Sequence, residues 1–88
     1  MQGRYTEAEP LYEQCQAIEE KVLGPEHPSL AATLHNRAGL YEAQGMYKEA
    51  IAGVERALAI RRKSLGENHE DTIATKRRLH DLRKAKLR

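Results

Sequence analysis

The seven residues QGMYKEA at positions 44–50 restate QGRYTEA at positions 2–8. Sliding the chain against itself by 42 positions aligns Gln2, Gly3, Tyr5, Glu7 and Ala8 with Gln44, Gly45, Tyr47, Glu49 and Ala50. The match runs on through Glu13/Glu55, Ala17/Ala59, Ile18/Ile60, Lys21/Lys63, Leu23/Leu65, Gly24/Gly66 and His27/His69. It then thins to Ala32/Ala74, Thr33/Thr75, Leu40/Leu82 and Ala43/Ala85. A fixed-period self-match implies a structural unit that cannot bury its apolar face alone and stacks on its own copy.

Within each period the apolar spacing is helical. Ala8, Leu11, Tyr12, Cys15, Ile18 and Val22 stripe a helix over 6–23, and Ala50, Ile51, Val54, Ala57, Leu58 and Leu65 stripe another over 48–65. Between them Leu30, Leu34, Ala38 and Tyr41 mark a helix over about 28–44. Gly24 and Gly66 suit the residue that ends a helix, and Pro28 suits the first turn of the next. Thr6 with Glu9 reads as a capping box at the start of the first helix, with Pro10 deep in its first turn. Small residues recur where helices must approach closely: Ala38, Ala50 and Ala57, with Ala8 and Cys15 in the earlier copy. An all-α fold of antiparallel helices joined by short turns follows. The composition agrees, since charged residues make up 32%, Phe and Trp are lacking, and Gly and Pro are few.

The chemistry of catalysis is missing from the sequence. His27, His35, His69 and His80 have no metal-ligand spacing, and the lone Cys15 can neither staple the chain nor complete a metal cluster. No phosphate-cradling glycine loop, nucleophile elbow or paired acidic motif occurs, so the chain reads as a non-enzyme without cofactor or metal. Cys15 falls where the later copy has Ala57, which predicts a buried packing thiol. His27 and His69 occupy one loop position a period apart and read as loop-packing or helix-entry residues. Nothing resembles a signal peptide or a membrane-spanning apolar run, and the reading is a cytoplasmic, reducing compartment.

Charge is unevenly placed. Residues 1–60 hold five Lys/Arg against nine Asp/Glu, while residues 61–88 hold ten against four. The basic run TKRRLHDLRKAKLR raises nucleic acid as a partner, but it has no aromatic side chains on which bases could stack, and Asp81 interrupts it. A solvated terminal helix is the better reading.

The run TLHNRAGLYEAQGMYKEAIAGVERALAIRRKSLG resembles a tetratricopeptide repeat, and the 42-residue spacing with EKVLGPEHPSLAATLHNRAGLYEAQG is similar to the kinesin light chain variety. The resemblance implies an α-solenoid of paired helices, A then B, whose A helices line a concave, peptide-binding face. It divides the single domain 1–88 into a first repeat, 1–24, with only helix B, a complete repeat, 25–66, and a polar capping helix within 67–88. The helix order is B-A-B-A. Ile73, Leu79 and Leu82 would form the buried side of the cap. Leu34, Ala38, Tyr41, Gly45, Tyr47, Ala50, Val54 and Ala57 take the motif's packing positions. Arg37 departs from them, because a leucine usually stands there. Its stem lies along the interface with the guanidinium reaching water, or it meets a carboxylate.

By position, Ala32, His35, Asn36, Gly39 and Glu42 would face the groove, with Arg77 and Arg78 one repeat later. His35, Asn36, Arg77 and Arg78 would favour a protein or peptide ligand carrying Asp, Glu or a C-terminal carboxylate. The alternative is a self-associating fragment, a stacked or domain-swapped homodimer in which copies complete each other's repeats.

Overall fold

Glycine and histidine set the boundaries between helices. The computed structural model describes the backbone of residues 2–87 and the side chains of residues 9–87. Four helices follow one another: α1 (Gln2–Val22), α2 (Pro28–Ala43), α3 (Tyr47–Leu65) and α4 (Glu70–Leu87). Gly24, Gly45 and Gly66 take φ of 97°, 77° and 90°, a left-handed region that a Cβ disfavours, and each sits in a connection between helices. The next helix then opens on a histidine twice. His27 Nδ1 accepts from the Ser29 N–H at 3.1 Å, and His69 Nδ1 accepts from the Asp71 N–H at 3.0 Å. These two histidines do the work usually given to Ser or Asp at a helix start.

α1 differs from expectation at its beginning. It already runs helically from Gln2 with Pro10 inside it, so Thr6 does not open it. A capping box is worth only about 1 kcal/mol, and no breaker stands among residues 4–8 to stop the helix from extending through it. The Thr6 and Ala8 side chains lie outside the described residues.

Consecutive helices pack antiparallel, with α1 and α3 in one layer and α2 and α4 in the other. The molecule measures 35 × 33 × 17 Å, the short dimension fitting two helix layers. One apolar cluster joins Leu30, Ala31 and Leu34 of α2 to Ala57 and Ile60 of α3. A second joins Ala38, Ala50, Val54, Leu58, Leu79 and Leu82, with Tyr41, Tyr47 and Ile51 packed against it. Gly53 lies at the closest part of the α2–α3 contact, where an added Cβ would stand 3.5 Å from the Leu34 carbonyl oxygen and 3.7 Å from Ala38 Cβ.

The two remaining junctions are built from equivalent positions with opposite chemistry. At α3–α4, Ile51, Val54 and Leu58 meet Leu79 and Leu82. Forty-two residues earlier, at the α1–α2 junction, Glu9, Gln16 and Arg37 stand in place of Ile51, Leu58 and Leu79, and Tyr41, one residue past the equivalent of Leu82, joins them. Arg37 Nε and Nη2 donate to Glu9 Oε1 at 2.9 and 2.6 Å, and Nη1 donates to Gln16 Oε1 at 2.9 Å. Tyr41 Oη donates to the same Glu9 oxygen at 3.0 Å, and Glu13 stands 3.5 Å from Nη2. Burial alone would lower the Arg37 pKa, but the hydrogen bonds and charge of Glu9, with Tyr41 and Glu13, raise it, so the guanidinium stays charged. Of the two roles open to Arg37, the structure selects the ion pair.

Two further expectations are corrected. Cys15 is exposed, not buried, because among the described residues no helix lies against the face of α1 that corresponds to the α2-facing side of α3. Ile73 is 46% exposed, and the buried side of α4 is made by Thr72, Thr75, Leu79 and Leu82. Thr72 and Thr75 satisfy their hydroxyls on the Arg61 and Asp71 carbonyl oxygens.

Candidate functional site

The face shared by α2 and α4 carries the residues singled out for ligand contact. Gly39 makes room there for a side chain from the neighbouring helix: an added Cβ would stand 3.6 Å from Arg78 Nη2. Arg78 crosses α2 at that point and reaches Glu42, donating through Nη2 at 2.9 Å. Gly39, Glu42 and Arg78 are therefore brought together as one arrangement. Its consequence is electrostatic, since Arg78 is already partly neutralised by a carboxylate of the protein itself.

Beside them lies a pocket of about 240 Å³ lined by Glu42, Ala74, Arg77, Arg78, Asp81 and Leu82. Both signs of charge line it. Arg77 is exposed and has no carboxylate within ion-pair distance among the described residues. Asn36 and Ala32 are exposed on α2, outside the pocket lining. His35 is half-buried. Burial first, then the positive charges of Arg78 and Arg61, hold its imidazole below the ordinary histidine pKa, so at neutral pH it offers a neutral ring.

Two buried polar atoms on this face lack any partner: His35 Nδ1 and Arg78 Nε. Leaving such atoms unpaired costs about 1–3 kcal/mol each. Neither is held by a hydrogen bond, so a rearrangement around a ligand breaks none at these atoms.

Asp81, Ala74 and Leu82 belong to the pocket but were not named as ligand contacts from the sequence. Ala74 and Asp81 stand 42 residues on from Ala32 and Gly39, so carrying the register of those two groove positions forward was the signal that could have found them. On the opposite layer, Arg56 Nη1 pairs with Glu20 at 2.7 Å, and a second pocket of about 220 Å³ is lined by Pro25, Glu26, Arg56, Ala59 and Ile60. Among the described residues no three His, Cys, Asp or Glu side chains cluster as metal ligands, and no helix is long and apolar enough to cross a membrane.

Stacked antiparallel hairpins, each built on the same register and sharing one pocketed face, define a helical repeat protein. The family model for the tetratricopeptide repeat matches residues 1–60 and again residues 30–79, and the chain belongs to that family. Domains of this family are generally protein–protein interaction modules, typically without catalytic activity. None of the curated proteins compared matches the chain.

Proposed function

We propose that the α2–α4 face binds an extended peptide segment of a partner protein. The observation that carries this reading is the mixed-charge pocket bridging the two helices, with Arg77 free and two polar atoms without partners beside it. An extended peptide supplies what they lack: a carbonyl oxygen can accept from an arginine N–H, and a backbone N–H can donate to a neutral imidazole nitrogen. Rigid helices hold these groups in place before binding, which lowers the ordering cost on the protein side.

Arg77 favours a peptide carrying Asp, Glu or a C-terminal carboxylate. Arg78 joins it by exchanging Glu42 for the ligand, with His35, Asn36, Gly39 and Glu42 forming the α2 side of the groove. The repeat partition supports this assignment, with α1 and α3 as B helices, α2 and α4 as A helices, and units of 1–24, 25–66 and 67–88. The 42-residue period favours the kinesin light chain-like variety of the family. The exposed Cys15 thiol suits a reducing compartment, and we place the protein in the cytoplasm.

The test is titration of labelled acidic and neutral ten-residue peptides against the wild type and the double variant Arg77→Glu, Arg78→Glu. Acidic peptides should bind the wild type more tightly, and the double variant should lose that preference. Equal affinity in both proteins would overturn the assignment.

A second reading is self-association as a homodimer, by stacking or by exchange of helices between copies. The uncovered apolar line on α1 favours it. Molar mass by light scattering across a wide concentration range tests it, and a constant monomer would refute it.

A further inference from the structure

Most charges on the inner part of α4 are already answered within the protein. Lys76 is held by Glu67, Arg78 by Glu42 and Arg83 by Glu55, at 2.5, 2.9 and 2.9 Å. Arg77 and Asp81, which both line the pocket between α2 and α4, have no group of opposite charge within ion-pair distance among the described residues. They do not answer each other either, and cation before anion is the weaker order for residues four apart on a helix. The pocket therefore presents one open cation and one open anion, a turn apart on a single helix.

These two positions lie on the face that the repeat leaves open. Arg77 and Asp81 stand 42 residues on from His35 and Gly39, whereas α2 turns Ala31, Leu34 and Ala38 towards α3. A helix set against α4 as α3 is set against α2 would lie over Ile73, Lys76 and His80 and leave Arg77 and Asp81 uncovered.

The pocket holds about 240 Å³, below the roughly 300–1,000 Å³ of a site that encloses a small molecule, so it suits the side-chain ends of a segment lying across it. A docking helix needs an apolar stripe, and the lining offers little. Leu82 is 1% exposed, which leaves Ala74 as the accessible apolar side chain. An extended segment presents its side chains to alternate sides, so residues two apart point the same way, about 6.6–6.8 Å from each other. Four residues along α4 rise about 6.0 Å. An acidic and a basic side chain two apart on a strand thus reach Arg77 and Asp81 together, while adjacent ones point to opposite sides.

We propose that the α2–α4 pocket selects an extended peptide whose acidic and basic residues are separated by one other, with the acid on Arg77 and the base on Asp81. This rests on the peptide-binding reading and names the sequence pattern the site takes. Both orders, Glu-x-Lys and Lys-x-Glu, fit, because a strand can lie either way along α4. A second acid in place of the base would set two carboxylates side by side at Asp81 and weaken binding.

Titration of labelled ten-residue peptides, uncharged except at a varied central triplet, tests the proposal. Glu-Ala-Gln should bind more tightly than Gln-Ala-Gln, as the peptide-binding reading requires. Glu-Ala-Lys or Lys-Ala-Glu should exceed Glu-Ala-Gln by about 2–5-fold, the gain from one exposed ion pair. Adjacent Glu-Lys should show no such gain. Asp81→Lys, at an exposed position, should turn the gain into a loss and favour Glu-Ala-Glu, with helix content by circular dichroism unchanged. If Glu-Ala-Gln binds no better than Gln-Ala-Gln, the peptide-binding reading falls and this inference with it. If it does bind better, but lysine in neither order adds affinity or Asp81→Lys leaves the gain intact, this inference alone falls. A gain from Glu-Ala-Ala-Ala-Lys in place of the triplets would assign the face to a helical segment and overturn the extended register.

Discussion

Replacing Glu9 by isoleucine isolates what the polar junction between α1 and α2 contributes. Glu9 Oε1 takes two donors from Arg37 and one from Tyr41, and its loss leaves the guanidinium with Gln16 and a carboxylate of Glu13 at 3.5 Å. Removing one partner of a fully buried ion pair costs about 3–5 kcal/mol. Here the Arg37 and Glu9 side chains are 17% and 25% exposed, so water retains access and the cost falls to about 2 kcal/mol. That lowers the melting temperature by roughly 8–16 °C for a domain of this size.

The chain itself supplies the compensating substitutions. Glu9, Gln16 and Arg37 are equivalent to Ile51, Leu58 and Leu79, which pack without polar partners at the α3–α4 junction. The triple variant Glu9→Ile, Gln16→Leu, Arg37→Leu should therefore fall within about 1 kcal/mol of the wild type, or exceed it by up to about 2 kcal/mol. Urea unfolding followed by circular dichroism measures both. A cost under about 0.5 kcal/mol for Glu9→Ile alone would show the pair to be a surface contact. A triple variant as unstable as the single one would show that the two junctions are not interchangeable.

Gly53 and His35 give two further expectations. Gly53→Ala should stabilise α3 by about 0.5–1 kcal/mol, because the added methyl meets Leu34 and Ala38 at ordinary contact distance, while Gly53→Leu should cost about 1–3 kcal/mol by overpacking. Thermal melts that rank the leucine variant above the alanine variant would refute the close approach of α2 and α3. The His35 pKa lies below 6.5 in the folded protein, so the unfolded chain takes up this proton first as pH falls. Stability from this group is complete above 6.5 and declines as pH drops through 6.5 towards the lower folded value. His35→Gln should flatten that decline in urea midpoints taken on either side of pH 6.5, and an unchanged slope would place its origin elsewhere.

The helices and their order are legible in the sequence because their signals are local. Gly24, Gly66 and Pro28 punctuate the chain where the backbone turns, and the 42-residue period transfers one unit's register to the next. Burial is less legible, because spacing shows that a stripe exists on a helix but not that anything covers it. Cys15 and Ala57 share a position, yet only Ala57 has a helix against it. Partners distant in sequence are harder still. Arg37 meets Glu9 and Arg78 meets Glu42 across 28 and 36 residues, and periodicity carries no information about which charge answers which. The register placed Glu42 and Arg78 on one face as separate ligand contacts, whereas the structure joins them to each other.

The unlike chemistry of the two junctions also governs which helix can sit beside which. Apolar surfaces of matching shape accept one another freely, and a chain of similar units risks docking its pieces in the wrong sequence. Glu9 laid against Leu79 would lose both donors that Arg37 supplies, and Ile51 and Leu58 laid against Arg37 would leave the guanidinium only Glu55, the equivalent of the more distant Glu13. Each seam thus bears its own address, and units that look alike in outline still come together in a single order.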